Sequence, residues 1–211
     1  IFVTPDGERT MNTYLGACVE LGPEDVEADV VADAKVTYFE GYLWDPPRAK
    51  DAIRECARIA HANGREVAMT LSDSFCVHRY RAEFLDLMRS GTVDIVFANR
   101  AEALALYETE DFGLALDSIA KDCKLAAVTM SEEGSIVIHG DERVRVDATE
   151  IKELIDTTGA GDLYAAGFLF GYTTGRSLAD CGKLGSLAAG IVIEQIGPRP
   201  MVSLSEAAKS A

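Results

Sequence analysis

The sequence has little positive charge and no long apolar segment, and both shortages limit what the protein can do. Its 20 Lys and Arg residues stand against 35 Asp and Glu residues, which gives a formal net charge of −15. Nucleic acids and anionic membranes attract positive protein surfaces, so this balance argues against either partner. The longest apolar segments, 163–172 and 187–193, are too short to cross a bilayer. We therefore predict no nucleic-acid partner and no membrane partner.

The sequence also lacks paired cysteine motifs. Its five cysteines are scattered and odd in number, and no two form a CxxC pair. Such a distribution is typical of reduced thiols in the cytosol, which predicts a cytoplasmic protein. The three histidines are equally dispersed, so neither residue type predicts a metal site.

Hydrophobic residues make up 48% of the sequence, enough for a sizeable core, and strand-like and helix-like segments alternate at short intervals. The predicted strands are 36–44, 65–72, 93–99 and 124–131, and the predicted helices are 47–64, 78–91, 100–108 and 112–123. This alternation is typical of βαβ units, so we predict an α/β fold with a doubly wound, mainly parallel sheet and helices on both faces. Alternating edge strands within 135–149 and two long helices, 160–173 and 176–195, follow.

The chain opens on Ile1 with the pattern of a strand, a turn at Pro5-Asp6-Gly7 and a second strand. This opening differs from the α/β alternation that follows it. We therefore expect residues 1–17 to belong to a smaller substructure. It would be attached to a single α/β domain, which we place at residues 18–211.

A glycine-rich segment, DTTGAGDLYAAGF at 156–168, precedes an apolar helix-like stretch. Gly159, Ala160 and Gly161 have little bulk, so their backbone N–H groups can approach a ligand closely. At a helix start, such groups and the helix dipole favour an anion, and Asp162 would then stand beside it as a general base. The alternative is a loop that enters a buried helix, with Asp162 as its cap.

Two familiar phosphate-binding motifs do not fit this segment. No Gly-Lys-Ser or Gly-Lys-Thr follows the glycines, as a Walker A motif requires, and Tyr164 stands where a dinucleotide fingerprint needs glycine. The segment therefore points to a different kind of anion site.

Asn99 and Glu102 are spaced three apart where a predicted strand runs into a predicted helix. Residues at this spacing share one face of the first helical turn, and their oxygens suit a hydrated Mg²⁺. A helix cap plus a surface glutamate explains the same pair equally well. Together with the anion loop and Asp162, the pair fits phosphoryl transfer, which needs an anion cradle, a metal and a base.

In these motifs the chain resembles the PfkB, or ribokinase-like, family of carbohydrate and nucleoside kinases. DTTGAGD (156–162) is similar to the C-terminal signature of that family, and NRAE (99–102) to its Asn-x-x-Glu motif. VTMSEEG (128–134) resembles its nucleotide loop, except that Ser131 replaces a glycine. GSLAAGIVIEQIG (185–197) resembles its adenine-side helix. Within the family, AKVTYFEGYLW (34–44) and VDIVFANRAEA (93–103) are most similar to the adenosine kinase branch.

The resemblance implies an ATP-dependent kinase. Asp162 would deprotonate a primary hydroxyl, the 5′-hydroxyl if the substrate is adenosine, and the N–H groups of Gly159, Ala160 and Gly161 would hold the developing charge. Asn99 and Glu102 would hold Mg²⁺ through water. The expected ATP contacts are Thr129, Ser131, Gly134, Ser186 and Ala189.

The resemblance also implies further site residues. Arg9 falls in a segment where the adenosine kinase branch carries an arginine near the transferred phosphate. Tyr42, with Leu43 beside it, falls where that branch stacks an aromatic residue on its nucleoside, although a buried strand aromatic is the alternative for Tyr42. Asp156 and Thr158, with backbone carbonyls near Ile193 and Gly197, would hold K⁺. For Asp156, a buried cap of the loop is the alternative.

Members of this family usually begin with a substrate-gripping strand and a glycine loop that have no counterpart after Ile1. The resemblance therefore implies that residues 1–17 are a remnant of a small β lid on the substrate side. Three functions stay open: a nucleoside kinase, a sugar kinase of the same family that takes ribose or fructose, and a non-catalytic nucleotide-binding fragment. The expected partner is a small nucleoside or sugar, and the expected assembly is a monomer or a homodimer.

Overall fold

The computed structural model describes residues 1–210, which form eight strands and eight α-helices. The strands are β1 (Phe2–Val3), β2 (Arg9–Thr10), β3 (Val36–Glu40), β4 (Glu66–Thr70), β5 (Ile95–Asn99), β6 (Leu125–Thr129), β7 (Ser135–His139) and β8 (Glu142–Val146). The helices are α1 (Ala28–Asp33), α2 (Pro47–Ala62), α3 (Ser74–Arg89), α4 (Arg100–Tyr107), α5 (Phe112–Asp122), α6 (Ala160–Thr173), α7 (Leu178–Ile193) and α8 (Leu204–Ser210).

The chain divides into two compact units. Residues 15–129 and 138–143 form the first, which we call the sheet unit. Residues 1–14, 130–137 and the chain from 144 onward form the second, which we call the glycine-loop unit. Within residues 1–210, no helix is both long and apolar enough to cross a membrane.

The sheet unit is built on parallel strands. The sheet has the order β3-β4-β5-β6-β7-β8, and β3 to β6 pair in parallel. One row of register partners crosses it, from Phe39 to Met69, Val96 and Ala126, and all four side chains are buried. The tip of the β7–β8 hairpin belongs to this unit. The predicted mainly parallel α/β sheet is therefore confirmed.

Local sequence signals explain why α2 has the bounds it has. Pro47 occupies the first turn, where its missing N–H costs nothing, and Gly64 follows the helix with a φ of +65°. Ala49, Ile53 and Ala60 recur at helical spacing and are buried. The helix therefore presents one apolar stripe to the core.

The predicted strand 36–44 is too long. The strand ends at Glu40, and Gly41–Trp44 form a short 3-10 helix. A Cβ on Gly41 would lie 2.9 Å from the carbonyl oxygen of Leu71, so only glycine allows this close approach of two chain segments. Trp44 is fully buried and donates its indole N–H to Glu83 at 2.8 Å.

The boundaries of one helix and two strands also differ from the prediction, because of a helix cap and of residues with a positive φ. Helix α3 begins four residues earlier than predicted, because the Asp73 carboxylate accepts a hydrogen bond from the N–H of Cys76 at 2.7 Å and caps it there. The strands β4 and β6 end before Ser72 and Ser131, both of which have a positive φ. The short helices α1 and α8 were not predicted.

The opening of the glycine-loop unit is a hairpin, as predicted. Strands β1 and β2 pair antiparallel, with Phe2 opposite Thr10 and Val3 opposite Arg9. Gly7 lies in the turn with a φ of +80°. The assignment of residues 1–17 to a lid and 18–211 to one domain stays a prediction.

Candidate active site

The glycine loop, residues 156–162, leads into α6. Gly159 has a φ of +81° and is the N-cap of the helix. A Cβ there would lie 2.6 Å from Cβ of Pro198, so both the backbone conformation and the close contact require glycine. A Cβ on Gly161 would meet no atom within 4 Å. The first turn of α6 therefore has open space beside Gly161.

The first turn of α6 has two backbone N–H groups without an acceptor among residues 1–210, those of Gly161 and Asp162. The N–H of Ala160 donates to the carbonyl oxygen of Thr157 at 3.2 Å, so one of the three predicted anion donors is engaged. Free N–H groups at a helix N-terminus carry partial positive charge and suit an anion.

Asp162 stands in this first turn with its carboxyl group accessible to solvent. Partial desolvation by the surrounding protein raises its pKa above the ordinary value for aspartate, and the positive charge of Arg9 opposes that rise. A carboxylate with a raised pKa is a stronger base than an ordinary aspartate. The glycine-loop unit thus contains a carboxyl group, free N–H donors and a guanidinium.

Asp156 is a buried residue that stabilises the glycine loop through hydrogen bonds, and we call it the brace of the loop. Its side chain is 1% exposed, and its Oδ1 accepts from the N–H and the hydroxyl of Thr158 at 2.9 and 2.6 Å. Its Oδ2 accepts from the N–H of Gly197 at 2.8 Å. Burial alone would raise the pKa of Asp156, but these hydrogen bonds outweigh burial and lower it.

The carbonyl groups predicted to join Asp156 around K⁺ also have partners. The carbonyl oxygen of Ile193 accepts from the N–H groups of Ile155 and Asp156 at 2.8 and 3.3 Å. The carbonyl oxygen of Gly197 accepts from the side-chain amide of Gln195 at 3.4 Å. These contacts favour the interpretation of Asp156 as a brace of the loop.

The residues predicted to contact ATP lie in both units. In the glycine-loop unit, Gly134 has a φ of +86°, and a Cβ there would lie 2.0 Å from the carbonyl oxygen of Val146. Ser186 accepts from the N–H of Thr149 at 2.8 Å and lies one helical turn before Ala189 on α7. In the sheet unit, Thr129 ends β6 and donates weakly to the carbonyl oxygen of Ala98 at 3.4 Å. Thr129, Gly134 and Ser186 therefore have local structural roles.

Asn99 and Glu102 meet at the start of α4 in the sheet unit. Glu102 is 4% exposed, so it is not the surface residue that the simpler alternative assumed. The pKa of Glu102 is raised to about 7: burial is the main cause, a hydrogen bond from the backbone of Asn99 opposes the rise, and the charge of Asp73 adds to it. Within residues 1–210, no group of three or more His, Cys, Asp or Glu side chains is placed to hold a metal ion.

Tyr42 lies at the carboxyl end of β3 and is 50% exposed. Its hydroxyl donates to Oδ2 of Asp73 at 3.0 Å, and its N–H donates to the Ser72 hydroxyl at 3.3 Å. Tyr42 is therefore not a buried strand aromatic. Its neighbour Leu43 instead lines an apolar cavity of about 350 Å³ with residues such as Phe39.

Sequence reasoning assigned no role to two residues beside these groups, Asp73 and Thr157. Asp73 caps α3 and holds the Tyr42 hydroxyl. Thr157 accepts a hydrogen bond from Arg9 at 2.9 Å. Asp73 follows a predicted strand and Thr157 lies inside the glycine motif, so position alone marked both as candidates.

Comparison with known proteins agrees with this fold and these motifs. The chain belongs to the pfkB family of carbohydrate kinases, whose model matches residues 1–204. The resemblance noted from the sequence is confirmed.

Individual relatives carry nucleoside and sugar kinase names. A cytidine kinase of Thermococcus kodakarensis is 38% identical over 200 residues, which are 91% of this chain and 66% of the relative. The crystal structure of adenosine kinase from Sinorhizobium meliloti is 80% identical, with a TM-score of 0.98, and the match covers 99% of this chain and 64% of that one. A probable sugar kinase protein from Rhizobium etli CFN 42 is 78% identical, with a TM-score of 0.98, and the match covers 99% and 63%. The chain thus spans just under two thirds of the length of these relatives.

Proposed function

We propose that the protein containing this chain transfers the γ-phosphoryl group of ATP to a primary hydroxyl of a nucleoside, with the 5′-hydroxyl of adenosine as the first candidate. Support comes from the family, from the 80% identical adenosine kinase and from the cytidine kinase. The 78% identical relative named a probable sugar kinase keeps a sugar acceptor as the second candidate. Both candidates need the same chemistry at the same groups.

The observation that carries the proposal is the placement of Asp162. It stands in the first turn of α6 with a raised pKa, and the free N–H groups of that turn lie on the same helix start. A base beside an anion site is what phosphoryl transfer to a hydroxyl requires.

In this mechanism Asp162 accepts the proton of the acceptor hydroxyl as that oxygen bonds to the γ-phosphorus. The bond between the γ-phosphorus and the bridging oxygen breaks, and ADP leaves with the electron pair. The N–H groups of Gly161 and Asp162 donate to the phosphoryl oxygens, and the guanidinium of Arg9 offsets their charge.

Magnesium fits this chain as an ion that arrives with ATP. Bound to the phosphates, Mg²⁺ would neutralise charge that develops during transfer. Both carboxylate oxygens of Glu102 already accept from Asn99, so the pair would hold water molecules around the ion and not ligate it directly. Both carboxylate oxygens of Asp156 accept hydrogen bonds, from Thr158 and from Gly197, and no step of the mechanism depends on K⁺.

The first experiment is an ADP-release assay of the purified protein with Mg–ATP and a panel of adenosine, other nucleosides, ribose and fructose. Strong turnover with adenosine alone supports the first candidate, and turnover with a sugar alone supports the second. ATP binding without turnover on any acceptor would replace both with a nucleotide-binding role.

A further inference from the structure

The turn of the opening hairpin contacts the glycine loop at Thr157. The carbonyl oxygen of Gly7 accepts from both the N–H and the hydroxyl of Thr157, at 3.3 and 3.2 Å. A Cβ on Gly7 would lie 3.0 Å from Cγ of Leu154, so the turn leaves little room for a side chain at that point. Thr157 is the residue through which the hairpin and the loop are joined.

Arg9 follows this turn and is held by the same hydroxyl. Its Nη1 donates to Oγ1 of Thr157 at 2.9 Å. One hydroxyl thus accepts from Arg9 and donates to Gly7, which uses its single proton and fixes its orientation. Among residues 1–210, no carboxylate lies within 4.0 Å of the Arg9 guanidinium. Its charge is therefore not neutralised by an ion pair.

This arrangement matters because arginine is long and flexible. An exposed guanidinium on a two-residue strand samples many rotamers, and a charge that acts on a transferring group must be held in place beforehand. A neutral hydroxyl can fix its position without cancelling its charge, whereas a carboxylate would do both. Thr157 supplies such a contact one residue after the Asp156 brace and two before Gly159.

We propose that Thr157 is a positioning residue, which holds the guanidinium of Arg9 beside the glycine loop for use in phosphoryl transfer. The inference rests on the proposed kinase function for the identity of the transferred group. It does not rest on that function for the contact itself, which can be measured separately.

A double-mutant cycle tests the catalytic part. Thr157→Val removes the hydroxyl at nearly constant volume, and we expect kcat to fall about tenfold while the acceptor KM stays within about twofold. Thr157→Ser keeps a hydroxyl and should restore most of kcat. In an Arg9→Ala background, Thr157→Val should cause no further loss, since there is no guanidinium left to position. An equal loss in both backgrounds, or a Ser variant as slow as the Val variant, would overturn the proposal.

The second measurement needs no turnover. In protein with ¹⁵N-labelled arginine, the side-chain Nε signal of Arg9 is identified by its loss in Arg9→Lys. We expect restricted Nε motion in the natural protein and in Thr157→Ser, and free motion in Thr157→Val. Equal mobility in all three would overturn the positioning role. If the natural protein turns over none of the acceptors, the kinase proposal fails alone, and this measurement still decides whether Thr157 holds Arg9.

Discussion

Glu102 and Asn99 hold each other through three hydrogen bonds. The carboxylate of Glu102 accepts from the backbone N–H of Asn99 at 2.9 Å and from its side-chain amide at 2.8 Å. In return, the N–H of Glu102 donates to Oδ1 of Asn99 at 2.8 Å. This capping box fixes the start of α4 and keeps a carboxyl group in the protein interior.

The burial of Glu102 predicts a pH-dependent stability. Its pKa is about 7 in the folded protein and near 4.5 in the unfolded chain, so ionisation costs more in the folded state. Protonated Glu102 therefore adds its whole contribution to the free energy of unfolding below pH 4.5. This contribution is lost as the pH rises towards 7 and through the folded-state pKa. The loss amounts to about 3 kcal/mol at most.

Glu102→Gln isolates this effect. Glutamine does not ionise, but its NH₂ group would face a hydrogen-bond donor of Asn99. We therefore expect the free energy of unfolding of the variant to be lower by about 1 kcal/mol at every pH from this cause. In urea unfolding without magnesium, we expect the stability of the variant relative to the natural protein to improve steadily from pH 5 to pH 7.5. A difference that does not change with pH would show that Glu102 is not the titrating group.

Asp162→Asn tests the proposed base. The amide keeps the shape of the side chain but cannot accept the proton, so we expect turnover to fall by about two to four orders of magnitude. ATP affinity should change little. Asp141→Asn, at an exposed position in the tip of the β7–β8 hairpin, is the matched control and should keep full turnover. Near-normal turnover in Asp162→Asn would refute this residue as the base.

Two neighbouring glycines offer a paired test of the loop. Gly159→Ala places a Cβ against Pro198 in a left-handed backbone conformation, so we expect a loss of about 2 kcal/mol of stability. Gly161→Ala places its Cβ in open space and should leave stability unchanged or slightly higher. If an anion occupies that space, however, Gly161→Ala should lower turnover sharply. Thermal unfolding together with ADP release separates the two effects, and unimpaired turnover in Gly161→Ala would place the anion elsewhere.

The sequence was a good guide to the fold because its strands and helices are marked locally. The apolar runs of β5 and β6 and the Pro47 and Gly64 signals of α2 need only a few neighbouring residues to be recognised. The six residues of α1 show no such pattern, so that helix was missed. The end of β3 was misjudged because the approach of Gly41 to Leu71 joins positions 30 apart, which no local pattern reveals.

The same distinction applies to the candidate site. The glycine motif and the Asn-x-x-Glu pair were found because each is contiguous in sequence. Thr157 was passed over because its partner Arg9 is 148 positions away. The engagement of the Ala160 N–H also could not be foreseen, since it depends on how the loop turns into α6.

Tyr42 provides the test of the predicted stacking on a nucleobase. Its half-exposed ring is held by Asp73 at the carboxyl end of the sheet, where ligands of parallel sheets bind. If the ring stacks on a nucleobase, Tyr42→Ala should raise the nucleoside KM about tenfold or more, because stacking on a base is worth about 1–3 kcal/mol. Tyr42→Phe keeps the ring and loses only a solvent-accessible hydrogen bond, so its KM should stay within about threefold.

The control is Phe170→Ala, which removes an aromatic ring from α6. Phe170 is 52% exposed and Tyr42 is 50% exposed, and we expect Phe170→Ala to leave KM unchanged. With a nucleoside as the acceptor, a KM that is the same in Tyr42→Ala as in the natural protein would exclude stacking of the base at this position.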